Sequence, residues 1–123
     1  MPGQISKLYK EMWKEAPVHH IGKPYASVYE ACLEALSRDS SSSTSSTTPL
    51  DLSRVLCIGD SLDHDVLGAR NMGLDSLFIA NGVHCADLGT TEGSSESPSE
   101  ELLRKLYERL GVTPTYSIPS FKA

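Results

Sequence analysis

Ile5, Leu8, Tyr9 and Met12 recur at i, i+3, i+4 and i+7, with Lys7, Lys10, Glu11 and Lys14 turned away. This spacing predicts an amphipathic helix over residues 4–15, ended by Pro17. Val18 to Ile21 reads as a short extended stretch leading to Gly22-Lys23-Pro24, where the proline suits the first turn of a following helix. Val28, Ala31, Cys32, Ala35 and Leu36 form that helix's apolar stripe, with Glu34 and Arg38 four apart on its outer face. Residues 39–49 are almost entirely serine and threonine, offer nothing to bury, and are expected to be a disordered insertion.

The period then changes. Arg54-Val55-Leu56-Cys57-Ile58 is an apolar run that stops at Gly59-Asp60, the pattern of a strand buried on both faces of a parallel sheet. From Leu62 the spacing through Val66 and Ala69 is helical, Gly73 supplies a stop, and residues 74–80 read as a second strand. Residues 54–80 therefore predict a right-handed βαβ unit. The polar stretch 86–98 is expected to be mobile, and Ser97-Pro98-Ser99-Glu100 predicts a helix start with Ser97 as cap and Glu100 closing a capping box. Leu102, Leu103, Leu106 and Leu110 would be its buried stripe, Gly111 its end, and Pro114 to Pro119 an extended strand or arm.

With 123 residues the chain is one small domain, yet short for a complete doubly wound α/β enzyme. The division expected is a helix, turn and helix over 1–38, the insertion over 39–49, and a βαβ unit with acidic turn, helix and arm over 50–123. The net charge of −5 is scattered, with no basic stripe for a phosphate backbone, which argues against nucleic acid. No apolar run approaches a signal or membrane-spanning length, so a soluble, cytoplasmic protein with no membrane partner is expected. Cys32, Cys57 and Cys85 are odd in number and never in a CxxC pair, which argues against a disulfide framework or a zinc site.

The chemistry concentrates in Gly59-Asp60-Ser61-Leu62-Asp63-His64-Asp65, three carboxylates in one turn at the carboxyl end of a strand, where ligand sites gather in open α/β sheets. Two carboxylates roughly 4 Å apart repel by several kcal/mol at an effective dielectric of about 20, and a divalent cation is the simplest relief. An all-oxygen donor set from Asp60, Asp65, Ser61 and water favours Mg²⁺ over zinc. The plainer reading is helix capping, which one aspartate would satisfy; three favour a metal site, with Asp63 as the spare cap. An EF-hand is excluded, because Leu67 and Leu74 would fall at positions needing oxygen ligands. Lys23 stands at the amino end of a helix, where a cation opposes the macrodipole, and so calls for an anion opposite it.

Gly22-Lys23-Pro24 together with Gly59-Asp60-Ser61-Leu62-Asp63-His64-Asp65, Gly73 and Asn81-Gly82 resembles the haloacid dehalogenase-like (HAD) hydrolases. Within them the likeness is to the capped subgroup of NagD-like nucleotide phosphatases and pyridoxal and phosphoglycolate phosphatases. It runs from about Gly3 to Gly82 and returns in Pro114-Thr115-Tyr116. The resemblance implies a Rossmann-like α/β fold with parallel strands, Lys23 as the catalytic lysine, and Asp60 as a direct Mg²⁺ ligand. It further implies that Asp65 holds a metal-bound water, that Ser61 helps position the site, and that the substrate is a small phosphorylated metabolite.

The family's nucleophile is an aspartate in an Asp-x-Asp motif ending a first strand. Here the single Asp-x-Asp, Asp63 to Asp65, belongs to the metal turn. The expectation is a carboxyl-terminal part of the family fold, without the first strand and the cap domain, inactive alone. Its partner would be a complementing amino-terminal half or a second copy of itself. A competing reading is a binding or regulatory module in which Asp60 accepts phosphate as in receiver domains, although Lys23 precedes Asp60 where receivers place their lysine later.

Overall fold

The computed structural model of the protein describes residues 2–42 and 50–121. Helix α1 spans Pro2–Met12 and α2 spans Ala26–Ser42; β1 is Leu56–Gly59, β2 is Asp75–Ile79 and β3 is Tyr116–Ile118. Between β1 and β2 the chain makes a wide π-type turn at Leu62–Val66 that runs directly into α3, Leu67–Asn71, and α4, Glu100–Leu110, links β2 to β3. The three strands form one parallel sheet in the order β1-β2-β3. This is the expected partial Rossmann-like α/β fold, and of the two readings of Pro114 to Pro119, strand or arm, the strand is the one that forms, as β3.

The sheet's two sides differ. Register pairs Cys57 with Ser76, Gly59 with Phe78 and Phe78 with Ser117, so these residues share one face. On that side Phe78, Leu62, Val66, Ala80, Leu88, Leu106 and Val112 make the main core. Tyr29, Ala69 and Leu74 make a second cluster, against Val28, Leu33, Val55 and Cys57. Burying Phe78 completely contributes about 1.5–3 kcal/mol. The opposite face carries Leu56 and Ile58, 44% and 50% exposed, and Tyr116 at 57%.

β1 is therefore not buried on both faces as its apolar run predicts. Right-handed crossovers in a sheet that grows steadily from β1 to β3 must lay both connecting helices on the same side, which leaves the other side open among the described residues. The stripe of α1 is likewise exposed, with Ile5 at 68% and Met12 at 88%, so its periodicity marks a helix but not a packed one.

Local differences have local causes. The chain at 18–21 joins no sheet, and Pro24 follows a cis peptide in a turn rather than opening α2, which starts at Ala26. α2 continues through the backbone of residues 39–42, the first part of the expected insertion; residues 43–49 lie outside the described residues. The cap of α4 is Ser99, whose side chain accepts from the Leu102 amide at 3.2 Å, and Glu100 is its first residue rather than the closing member of a capping box begun by Ser97. Gly111 ends α4 in the left-handed region at φ 66, as its sequence position predicts.

The connection 86–98 is not loose. Leu88 is buried in the core, and the side chain of buried Asn81 donates to the Ser94 and Glu96 carbonyls at 2.9 and 2.7 Å. Thr90 Oγ1 donates to Asn81 Oδ1 at 2.6 Å. One amide thus satisfies the backbone of a polar loop whose composition alone suggested mobility.

Candidate functional site

Two turns meet at the carboxyl end of β1. In the first, the Tyr25 amide donates to the Gly22 carbonyl at 2.9 Å, and Gly22 sits at φ 111, a conformation that glycine alone adopts at little cost. That turn presents Lys23, whose Nζ lies 2.6 Å from Asp65 Oδ1. The lysine side chain is 56% exposed and the aspartate's 9%. The anion that the position of Lys23 calls for is supplied, at least in part, by the protein itself.

The second turn is the acidic motif. Asp65 Oδ2 accepts from the Ser61 amide at 3.0 Å, so both oxygens of this buried carboxylate are engaged. Ser61 Oγ contacts His64 Nδ1 at 2.8 Å. The Tyr29 hydroxyl, on α2, reaches the His64 and Asp65 carbonyls at 3.1 and 3.3 Å. Burial, then the neighbouring Cys57, Asp65 and Cys32, push the Tyr29 hydroxyl above its ordinary value, so it remains a protonated donor. α2 is thereby tied to the acidic turn that follows β1.

Asp60 is held separately. Its Oδ2 accepts from the Val83 amide at 3.0 Å, in the turn that follows β2. Two glycines make room for these carboxylates: a Cβ on Gly59 would run into the Asp65 side chain, and one on Gly82 into the Asp60 side chain. Glycine here is a close-approach requirement rather than a turn requirement. His84, next after Val83, accepts the Leu62 amide at Nε2, 3.2 Å away, while its Nδ1 lies 3.4 Å from Asp87. Asp87 in turn meets Arg109 of α4 at 2.9 Å. The Arg109 hydrogen bond, then that of His84, hold the Asp87 carboxyl below the usual range.

Of the residues singled out in the sequence, Lys23, Asp65 and Ser61 come together directly, and Asp60 stands at the mouth of the same turn. Asp63 and His64 are exposed, and the cap position of the turn belongs to Ser61 and not to Asp63, which lies within it. Tyr29, Gly59, Gly82 and His84 were not given roles. Gly59 opens the acidic motif and Gly82 belongs to the Asn81-Gly82 pair that shares in the resemblance, whereas the roles of Tyr29 and His84 depend on which loops the fold brings alongside.

As a metal centre the arrangement is partial. Among the described residues no group of three or more His, Cys, Asp or Glu side chains is placed to hold an ion, so three carboxylates in sequence do not become three in space. Asp60, with one oxygen bonded to the Val83 amide, fits the single-carboxylate contribution that Mg²⁺ accepts when water and phosphate complete its shell.

Comparison with known proteins agrees with this geometry. No curated protein matches significantly. A haloacid dehalogenase-like hydrolase from Brucella suis is similar at 29% identity with a TM-score of 0.62, over 98% of this chain and 36% of that one. A p-nitrophenyl phosphatase from Archaeoglobus fulgidus is similar at 25% identity and TM-score 0.66, over 96% of this chain and 35% of that one. A possible sugar phosphatase from Cytophaga hutchinsonii, at 16% identity and TM-score 0.62 over 98% and 35%, shares the fold. The chain thus spans about a third of the length of each. The family model for HAD-hydrolase-like proteins matches residues 20–109, which contain both turns of the site. The chain belongs to the HAD-like hydrolases.

Proposed function

We propose that this chain supplies the lysine and acidic-turn part of a Mg²⁺-dependent phosphoric monoester hydrolase site, acting on a small phosphorylated metabolite. The observation that carries the reading is the 2.6 Å pair between Lys23 and Asp65, because it joins two motifs 42 positions apart at the carboxyl end of β1. Lys23 is half-exposed, so its remaining ammonium protons can meet a phosphoryl oxygen while Asp65 fixes its direction. Asp60 would bind Mg²⁺ through a carboxylate oxygen, and Asp65, with both oxygens engaged, suits an outer position that orients a bound water. The ion would neutralise phosphate charge.

The reaction class needs a nucleophile, and the single Asp-x-Asp of the 123 residues has Asp65 buried against Lys23 and Asp63 exposed outside the site. Positioning and electrostatics alone leave these 123 residues without turnover, and the reacting aspartate would lie outside them. The proposal is tested by MgCl₂ titration of the ¹⁵N-labelled chain. Shifts at the Val83 and Ser61 amides that vanish in Asp60→Asn support it, and an unchanged response in that variant refutes the metal assignment.

A further inference from the structure

We infer that His84 is a positioning residue for the acidic turn, acting through the Leu62 amide to fix where Asp60 presents its carboxylate. Its consequence for metal binding rests on the reading of Asp60 given above. The geometry is reciprocal. Two consecutive residues after β2 grip the turn after β1 at two points: the Val83 amide donates to Asp60 Oδ2 at 3.0 Å, and His84 Nε2 accepts the Leu62 amide at 3.2 Å. Leu62 is two residues beyond Asp60 and wholly buried, so its amide has no access to water as an alternative partner. The wide π-type opening of Leu62–Val66 leaves the first amides of the turn without helical acceptors, and the imidazole supplies one.

The ring's state is determined by its neighbours. A nitrogen that accepts an N–H carries no proton, so the neutral ring must hold its proton on Nδ1, the atom that faces Asp87. Asp87 is anchored by Arg109 of α4, and the imidazole packs on Phe78 of the core, with ring centroids 5.9 Å apart and planes tilted by 56°. Arg109, Asp87 and His84 therefore link α4 to the acidic turn through one oriented chain of polar contacts. Sequence reading overlooked it because Asp87 and Arg109 lie far apart in the chain.

The test uses the uniformly ¹⁵N-labelled full chain. An N–H···N hydrogen bond transmits a scalar coupling between its two nitrogens, so wild type should show one between the Leu62 amide and His84 Nε2; its absence would overturn the inference. Exchange of the Val83 amide reports on Asp60 independently of any metal. His84→Phe keeps a ring against Phe78 but removes the acceptor, and should accelerate that exchange by about fivefold or more, whereas His84→Gln, which restores an acceptor, should stay within about twofold of wild type. Equal exchange in wild type and His84→Phe would refute the role, as would a glutamine variant no better than phenylalanine. Mg²⁺ affinity, measured with MgCl₂, should fall and recover in the same order. If Asp60→Asn leaves the Mg²⁺ response intact, the metal reading fails while the coupling and the Val83 exchange still decide the role of His84. If His84→Phe does not fold, the wild-type coupling and His84→Gln decide it.

Discussion

Lys23 Nζ lies 2.6 Å from Asp65 Oδ1, and the two ends of this ion pair have opposite environments: the ammonium is more than half exposed and the carboxylate is buried. The pair is therefore not a simple surface bridge, whose contribution would be small. Removing the lysine leaves a buried charge supported by the Ser61 amide alone among the described contacts. Lys23→Ala should lower unfolding stability by about 1–2 kcal/mol, less than for a fully buried pair because water reaches the lysine side. Lys23→Ala, Asp65→Asn and their double variant in urea will measure the coupling. A coupling indistinguishable from zero would mean the pair does not hold the two turns together.

Gly82→Ala places a Cβ against the Asp60 side chain, and Gly59→Ala places one against Asp65. Each should destabilise by about 1–3 kcal/mol, because carboxylate or backbone must shift to relieve the overlap. The two should differ at the site: Gly82→Ala should perturb the Val83 amide and Mg²⁺ response, and Gly59→Ala the Lys23–Asp65 pair. Paired ¹H-¹⁵N spectra check this, and interchangeable effects would contradict the separate holding of the two aspartates.

How much of this was legible from sequence divides along a physical line. The apolar run into Gly59-Asp60, the helical period after Leu62, and the Gly111 stop are local signals, and each element formed where its pattern lies. The pairing of the third strand beside β2, the exposed side of β1 and the ordered loop on Asn81 are not local. They follow from crossover handedness and from one buried amide finding backbone partners more than ten residues away. The site divides similarly: Lys23, Asp60, Ser61 and Asp65 sit in recognisable motifs. His84 and Tyr29 act only through backbone groups of distant turns, which no side-chain pattern encodes.

The cysteines offer a chemical check on the core. Burial, and then Cys32 and Asp65 nearby, push the Cys57 thiol above its ordinary value, whereas Cys32 is exposed. Thiolate is the reacting form, so iodoacetamide at neutral pH should label Cys32 well before Cys57. Mass spectrometry of a time course reads the order. Equal rates would contradict the packing of β1 against α2.

Asp87 provides the pH dependence. Its carboxyl is held low, first by the Arg109 hydrogen bond and then by His84. A depressed folded value means that the contribution to stability is present above the ordinary aspartate value and is lost as pH falls through the folded one. The Asp87 side-chain carbon shift should therefore titrate below the usual range and move back up in Arg109→Gln. No change in that variant would remove Arg109 from the chain of contacts leading to His84.

In the proposed function these residues are one part of a phosphatase site whose nucleophile lies outside the 123 residues. Its most direct measurement is Mg²⁺-dependent hydrolysis of p-nitrophenyl phosphate by the purified chain, alone and mixed with an amino-terminal half of a complete family member bearing an Asp-x-Asp strand and cap. No turnover is expected from the chain alone, and the mixture should show turnover that Lys23→Ala or Asp60→Ala abolishes. Turnover by the chain alone, persisting in both variants after rigorous purification, would contradict it.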